Sequence, residues 1–328
     1  MSYRPEKASD EILEIMRHQY KSGNAVLTWL PLDETRYSDQ AFWIVWAVTE
    51  LIKETGDFEM LNKSIEYQDG GHGTVYEHVK AGINRLLEDR GQNGLVKIFF
   101  ADWNDALNVL DDPEAESVML TQQFCLALRE LQALSLKIGD TSYASFLGEK
   151  YAEVKNVLNK LAWDGAYYAR ALSVKGNIGT KNAAGSTIYL NPQVWAILAD
   201  VYEDKNLESI LKAIDCMEHD FGFPINWPPN AKYDNHTGRM SLMAPGLFEN
   251  GGVYCHASAF KVMMDGKLGR GNEALRTLLK IIPDSQHNPY SQSETEPYVL
   301  LIVTPPTRCL WQGRPLMDNR DFSLVPER

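Results

Sequence analysis

The spacing of apolar residues is the feature that most constrains this chain. In "LTQQFCLALRELQALSLKIG" they recur three or four positions apart, at Leu120, Phe124, Ala127, Leu131, Leu134 and Ile138. This spacing forms one apolar stripe along a helix. Similar stripes lie near residues 8–22, 39–55, 74–89, 147–161, 191–203, 206–219, 252–266 and 270–282. The pattern predicts an all-α fold of about nine helices stacked as hairpins, with "STIYL" as the best short strand candidate.

The start and the end of the helix around residues 120–138 are also predicted. Asp112 is suited to cap it, and Pro113 suits the first helical position. Gly139 is suited to end the helix, because glycine readily takes the left-handed conformation found there.

Long loops rich in aromatic, Gly, Pro and Asn residues separate some of these helices. Examples are "YQDGGHGTVYEH", "VKGNIGTKNAAGST" and the stretch from "GFPINWPP" to "ENGGVYCH". Long loops within compact domains are uncommon and often functional. We therefore expect the helices to be the scaffold and the loops to carry the site.

Composition excludes several classes of partner. The formal net charge of −12 over 328 residues repels phosphate backbones, so no nucleic-acid partner is expected. No stretch reaches the roughly 18 apolar residues of a membrane span, and the N-terminus lacks a signal-peptide core, so we expect no membrane partner and a cytoplasmic location. No metal site or disulfide framework is expected, because no CxxC spacing occurs among the four cysteines, Cys125, Cys216, Cys255 and Cys309. Nucleotide-loop, HExxH and GxSxG motifs are absent from the sequence.

The stretch "ADWNDALNVL" places two acids in apolar surroundings. Asp102 and Asp105 flank Trp103, and an acid near apolar and like-charged neighbours has a raised pKa. Such an acid keeps its proton at neutral pH and can donate it to a leaving oxygen. The alternative is a helix N-cap in which Asp102 or Asn104 binds backbone amides.

The stretch "ENGGVYCHASAF" is a second candidate for the site. Glu249 precedes a glycine pair that permits close backbone approach to a ligand, and Tyr254 and His256 follow. A histidine near a helix start, with its free amides, suits an anion. The alternative is a turn with a half-buried histidine.

The stretch "LPLDETRYSDQAFW" supplies a third pair of candidates. Arg36 and Asp39 lie three apart at a predicted helix start, where both are candidates to contact substrate. The alternative is structural: Asp39 or Ser38 caps the helix, and Arg36 pairs with Asp39.

Six stretches in order resemble the glycoside phosphorylases of glycoside hydrolase family 94, the cellobiose and chitobiose phosphorylase group. They are "LIKETGDFEMLN", "TVYEHVKAGINRLL", "ADWNDALN", "NPQVWAILAD", "PGLFENGGVYCHA" and "HNPYSQSETEPYVL". The resemblance implies an (α/α)6 barrel over residues 1–300. It also implies inverting phosphorolysis of a β-linked, cellobiose- or chitobiose-like sugar to a sugar 1-phosphate. Inorganic phosphate would be the co-substrate, with no cofactor, and a homodimer is a state to expect.

The resemblance also implies roles for particular residues. Asp105 matches the general acid of the "DWND" motif, and Trp103 matches a tryptophan that contacts the cleaved sugar. Glu249 matches the acid that holds the acceptor sugar, and His256 matches a phosphate-binding histidine. We expect Arg36, Asp39 and Tyr254 to contact substrate as well.

Departures from the family leave other interpretations open. The match lacks the family's N-terminal β-sandwich and the start of its barrel, and a Pro-rich stretch at 301–328 replaces a Thr-Gly-Thr loop. We therefore expect a barrel incomplete at both ends, followed by a poorly ordered tail. One alternative is a truncated, inactive member that folds and at most binds sugars. Another is a hydrolase, which needs a second acid about 6.5–9.5 Å from Asp105, with Glu249 the nearest candidate by motif. A helical scaffold without a site is the last alternative.

Overall fold

The structure is a computed structural model that describes residues 4–220, 222–283, 285, 287, 289 and 303–304. Nine α-helices occur in this described part, as the apolar spacing predicts. They are α1 (Pro5–Met16), α2 (Gln40–Thr55), α3 (Val75–Glu88), α4 (Val118–Lys137), α5 (Thr141–Leu161), α6 (Leu190–Leu198), α7 (Leu207–Asp215), α8 (Cys255–Lys267) and α9 (Gly271–Ile281).

The helices alternate between buried and half-exposed along the chain. Every residue of α6 is buried, and α4 is buried over most of its length. Helices α7 and α9 bury one side only, at Ile210 and Ile214 and at Thr277 and Ile281. Because α2, α4, α6 and α8 contact one another in succession while α5 packs on α4 and α9 packs on α8, the fold is a set of stacked helical hairpins.

Short antiparallel strand pairs fasten the loops between the helices. The strands are β1 (Thr28–Trp29), β2 (Leu32–Asp33), β3 (Ser64–Glu66), β4 (His72–Thr74), β5 (Glu116–Ser117), β6 (Ala171–Leu172), β7 (Ile188–Tyr189), β8 (Asn226–Trp227), β9 (Val253–Tyr254) and β10 (Val303–Thr304). They pair as β1–β2, β3–β4, β5–β6, β7–β8 and β9–β10. Strand β7 falls within the predicted "STIYL" segment. Three of these strands, β5, β7 and β9, end where α4, α6 and α8 begin, so the pairs fix the loops at the amino ends of the inner helices.

The predicted start of α4 is wrong. The Asp112 side chain accepts hydrogen bonds from the backbone amides of Glu114 and Val174, and the helix begins only at Val118. Ser117 is the actual cap, with its hydroxyl accepting the amide of Leu120 at 3.0 Å. Asp112 and Pro113 carry the same signal for a turn as for a helix start, because an Asx turn uses the same side-chain bond. The predicted end is confirmed, since α4 ends at Lys137, Ile138 is its C-cap, and Gly139 follows with φ 83°.

An aromatic cluster fills the space between α2, α6 and α8. The Trp195 ring lies 4.7 Å from Phe260, 5.5 Å from Trp46 and 5.7 Å from Phe42, measured between ring centroids. Trp43 of α2 extends the cluster towards His256 of α8, at 6.1 Å. Aromatic packing of this kind stabilises the helix contacts and brings α2 and α8 together beside the loops.

Two further findings concern the limits of the fold. In the part of the chain that is described, no helix is long and apolar enough to cross a membrane. Apart from Val303–Thr304, which pairs with Val253–Tyr254, the predicted tail at 301–328 lies outside the described residues.

Candidate active site

The "DWND" loop owes its shape to a buried ion pair. Asp102 and Arg170 are both fully buried, and Nη2 of Arg170 donates to Oδ1 of Asp102 at 2.6 Å. The Ser117 hydroxyl donates to the other oxygen of Asp102 at 2.6 Å, and the amide of Asn104 donates to Oδ1 at 2.9 Å. Asp102 therefore has a structural role, and the predicted cap is half right: it binds a backbone amide, but residues 101–111 form no helix.

Asn104 joins the same network through its side chain. Its Oδ1 accepts from Nη2 of Arg170 at 2.8 Å, and its Nδ2 donates to Oε2 of Glu249 at 3.4 Å. The two predicted motifs, "DWND" and "ENGG", therefore meet in space around one buried arginine.

Asp105 behaves differently from Asp102. Its side chain is exposed to solvent, but the surrounding protein still removes part of the water around the carboxyl. Burial by these neighbours raises the pKa of Asp105, the charge of Arg239 lowers it, and the charge of Asp102 raises it, with an upward shift as the net result. An accessible carboxyl with a raised pKa is suited to donate a proton.

Glu249 is buried directly behind the Asp105 turn. Its Oε2 accepts the backbone amide of Ala106 at 3.0 Å. Burial raises the pKa of Glu249 to about 7, helped by the negative charges of Asp105 and Asp102 and opposed by the bond to Ala106. This carboxyl therefore exchanges its proton near neutral pH.

The glycine after Glu249 and Asn250 is required by close packing. Gly251 has φ 87°, and a Cβ built there would lie 2.6 Å from the side chain of Pro229. Its amide donates to the side chain of Asn226 at 2.8 Å. At Gly251 the close approach is therefore to the protein's own chain, and ligand approach at the glycine pair stays a prediction.

Trp103 and His256 contact each other and form one wall of the site. Indole Nε1 of Trp103 donates to Nδ1 of His256 at 3.2 Å, so Nδ1 acts as an acceptor and the proton of the neutral ring is on Nε2. Burial lowers the pKa of His256, which favours this neutral form. The Tyr254 ring lies edge-on to Trp103 at 5.6 Å. His256 is in the first turn of α8, as predicted.

Asp39 is brought to the same wall by α2. The carboxylate is buried and accepts from indole Nε1 of Trp43 at 2.6 Å. Burial raises the pKa of Asp39 to about 7, the bond from Trp43 opposes this, and the charges of Asp102 and Asp105 add to it. The expected capping role is wrong for both residues considered. The Asp39 side chain makes no capping bond, and the Ser38 hydroxyl donates to the carbonyl of Ala101.

Arg36 makes its contacts with residues other than the predicted site residues. Its guanidinium donates to Asp89 at 2.5 Å and stacks 3.5 Å above the ring of Phe99. The predicted pairing with Asp39 is wrong, because the guanidinium is committed to Asp89, which is buried. Among the predicted site residues, Arg36 is the one that the structure separates from the others.

His236 links three loops beside the site through contacts of both its ring nitrogens. Nε2 of His236 contacts the carbonyl of Gly176 at 2.7 Å, and Nδ1 contacts the Asp111 carboxylate at 2.9 Å. Both partners are acceptors, so the ring makes both bonds fully only as the imidazolium. Burial alone would lower the pKa of His236, but the bonds to Asp111 and Gly176, and the nearby charges of Asp111 and Asp234, raise it overall.

We expect His236→Gln to destabilise the fold more in acid than in base. A raised folded-state pKa gives stability that is fully present below the unfolded pKa and is lost as pH rises through the folded value. The loss should be about 1.5–3 kcal/mol in acid, since hydrogen bonds to a charged group are of this size. Urea unfolding at about pH 5.5 and about pH 8.5, on either side of the ordinary histidine pKa, measures it. His72→Gln, at an exposed histidine on β4, is the control. Equal losses for His236→Gln at both pH values would contradict a stabilising role for protonated His236.

Three residues of the candidate site were not predicted from the sequence. Arg170, Trp43 and Arg239 all contact predicted site residues. Arg170 had a usable signal, because an arginine within the apolar run "AYYARAL" needs a buried partner. Trp43 and Arg239 had none, since an aromatic in a helix and a cation in a loop are ordinary.

Two cavities in the described part differ in their position relative to this site. One of about 260 Å³ between α1 and α2 reaches Gln40 and Trp43. A larger one of about 710 Å³ lies beside α7, at Leu207 and Leu211. None of the acids described above lines this larger cavity. Across the described residues, no group of three or more His, Cys, Asp or Glu side chains is arranged to hold a metal ion.

Carboxylates that hold a proton near neutral pH, set among aromatic rings, are the groups that enzymes cleaving glycosidic bonds use. The chain belongs to the glycosyl hydrolase 94 superfamily, whose catalytic-domain model matches residues 1–305. It is 37% identical over 301 residues to a solabiose phosphorylase of Paenibacillus borealis, covering 90% of this chain and 39% of that protein. It is 30% identical over 267 residues to an N,N'-diacetylchitobiose phosphorylase of Vibrio proteolyticus, covering 80% of this chain and 33% of that protein.

The fold is also found among solved structures. An uncharacterized conserved protein from Thermus thermophilus superposes with a TM-score of 0.63 at 13% identity, covering 93% of this chain and 84% of that one. At this identity the likeness concerns the fold alone. The present chain spans about two fifths or less of the phosphorylases it matches.

Proposed function

We propose that this chain carries the acid-bearing part of an inverting phosphorylase that cleaves a β-linked disaccharide with inorganic phosphate. Membership of the superfamily and similarity to two disaccharide phosphorylases support the reaction class. We also propose that the stacked hairpins belong to an (α/α)6 barrel, as the family resemblance implies.

The proposed reaction needs one acid. Asp105 donates its proton to the glycosidic oxygen as the bond from that oxygen to the anomeric carbon breaks. A phosphate oxygen attacks the same carbon from the opposite face, which inverts its configuration. The products are a sugar 1-phosphate and a free sugar. Phosphate is already an anion, so the base that activates water in an inverting hydrolase is not required.

Trp103 and His256 act on the donor side in this proposal. The Trp103 ring offers an apolar face to a sugar ring, and its N–H holds His256 as the Nε2–H tautomer. The neutral imidazole then donates a hydrogen bond to a phosphate oxygen. The free amides in the first turn of α8 favour the same anion.

Glu249, Tyr254 and Asp39 are proposed to contact the sugars. Glu249 accepts the amide next to Asp105, which puts its carboxyl behind the leaving-group side. Asp39 is linked through Trp43 to the wall that holds His256. We propose no direct sugar contact for Arg36 in the arrangement described, since its guanidinium is bound to Asp89.

One observation carries the proposal. An accessible acid with a raised pKa, Asp105, lies two residues from a tryptophan whose N–H holds a neutral histidine at a helix start. Phosphorolysis would need an acid, an aromatic platform and a hydrogen-bond donor to an anion, so the closeness of these three residues supports the proposal.

The test is phosphate release from glucose 1-phosphate or N-acetylglucosamine 1-phosphate with a panel of acceptor sugars. We expect release that depends on the acceptor. Release of sugar from disaccharides without phosphate would indicate a hydrolase instead. A folded chain that gives neither product would contradict catalysis by this chain.

A chain that binds sugars without turnover is the second candidate. Calorimetric binding of the disaccharide, with no release of either product, is its expected signature.

A further inference from the structure

The segment from Asp234 to Leu242 lies directly against the turn that carries Asp105. The amide of Met240 donates to the carbonyl of Ala106 at 2.8 Å, and the amide of Leu110 donates to the carbonyl of Asn235 at 2.9 Å. Gly238, at φ 61°, makes this approach feasible, because a Cβ there would meet the Asn108 side chain at 3.0 Å. The two pieces of chain therefore form one unit.

Arg239 projects from this segment onto the turn. Its Nη2 donates to the backbone carbonyl of Asp105, and its Nε donates to Oδ1 of Asn108 at 2.9 Å. The guanidinium carbon lies 5.0 Å from the centre of the Phe100 ring. Asn108 in turn donates to the carbonyl of Phe100 at 2.6 Å. The Arg239 guanidinium thus contacts residues of this turn that lie before, at and after Asp105.

Arg239 brings a positive charge next to Asp105, whereas two other arginines, Arg170 and Arg36, are each bound to a different acid. Arg170 is fully buried and bound to Asp102, and Arg36 is bound to Asp89. Arg239 is exposed on the side of Asp105, and its positive charge opposes the upward pull of burial on the pKa of that carboxyl. The titratable groups that couple to Asp105 in the described residues are Tyr37, Asp39, Asp102, Glu249 and Tyr254.

We propose that Arg239 is a positioning residue for the acid: it fixes the turn that carries Asp105 and stabilises the carboxylate left when the proton has gone. This inference rests on the proposed role of Asp105 as the general acid. The nearby acids Asp39, Asp102 and Glu249 all disfavour a new negative charge on Asp105, so a cation is needed to balance it. A charge fixed in advance near the atoms where charge develops lowers the barrier without reorganisation.

The experiment measures Asp105 directly and needs no turnover. The carboxyl carbon of Asp105 is followed by NMR in ¹³C-aspartate-labelled chain as the pH is changed, and the resonance is assigned with Asp105→Asn. Arg239→Gln removes both the charge and the fork. Arg239→Lys keeps the charge but not the two-point grip. Arg276→Gln, which removes another exposed arginine, one bound to Glu218, is the control.

We expect the midpoint of the Asp105 titration to move upward in Arg239→Gln and to stay at its wild-type value in Arg276→Gln. Arg239→Lys should keep most of the wild-type midpoint while broadening the amide signals of the turn around Asp105. If kcat is measurable, the alkaline limb of its pH profile should move upward with the midpoint in Arg239→Gln.

Two results would overturn the inference. One is an unchanged Asp105 midpoint in a folded Arg239→Gln chain, and the other is an equal shift in Arg276→Gln. If Arg239→Gln proves unfolded by circular dichroism, the broadened turn signals expected of Arg239→Lys decide the matter, and sharp, unmoved signals would overturn it. A shifted midpoint in a chain without phosphorolysis would instead count against the proposed function alone, so the two failures are distinguishable.

Discussion

Asp105→Asn is expected to abolish measurable phosphorolysis while leaving the fold intact. General acid catalysis contributes about 100- to 10,000-fold to a rate, and an amide cannot donate its proton to the glycosidic oxygen. The side chain of Asp105 is exposed, so the substitution should remove the acid and disturb the fold little. The measurement is kcat in the direction of phosphorolysis, with circular dichroism to check folding.

Two controls sharpen this result. Asp204→Asn changes an exposed acid at the start of a short 3-10 helix, away from the site, and should leave the rate unchanged. An aryl glycoside with an acidic phenol as leaving group needs no proton, so Asp105→Asn should still cleave it. If the variant lost activity equally on both substrates, Asp105 would not be the acid.

Arg170→Met is expected to cause the largest loss of stability of any single change discussed. Both members of the Arg170–Asp102 pair are fully buried, and removing one leaves an uncompensated buried charge. Breaking such a pair costs about 3–5 kcal/mol. The loss should also loosen the loop before Asp105, because Arg170 holds Asn104 as well as Asp102. Urea unfolding monitored by fluorescence gives the free energy of unfolding.

The double variant Arg170→Met with Asp102→Asn is the matched comparison. It removes the stranded charge, so it should be more stable than Arg170→Met alone. A single variant within about 1 kcal/mol of wild type, the size of an ordinary surface ion pair, would mean that the pair is not structurally important.

The helices were predictable because their burial is periodic. In the predicted stripe at 147–161, Leu147, Val154 and Leu158 are buried, whereas Leu161 at its end is 38% exposed. The start of α4 was not predictable, because Asp112 binds the amides of a turn as it would bind those of a helix. What decided between them was the pairing of β5 with β6, which is a long-range contact.

The residue types of the site were predictable from the sequence, but the separate role of each residue was less so. The two acids of "DWND" look alike in the sequence. They differ because Arg170, far along the chain, neutralises Asp102 and leaves Asp105 exposed. Arg36 and Asp39 also looked like a pair. They separate because the Asp39 carboxylate accepts from Trp43 while the Arg36 guanidinium binds the buried Asp89.

Helix α6 is covered on every side, and this has a consequence for how such a protein can diversify. No position along Leu190–Leu198 faces solvent, so any change of side-chain volume there must be absorbed by a neighbour. The acids and rings proposed to meet the sugar project instead from loops and helix ends around it. Mutations that alter the choice of sugar can accumulate at the rim while the centre stays nearly invariant. A library built to change specificity should therefore randomise the rim and leave α6 untouched.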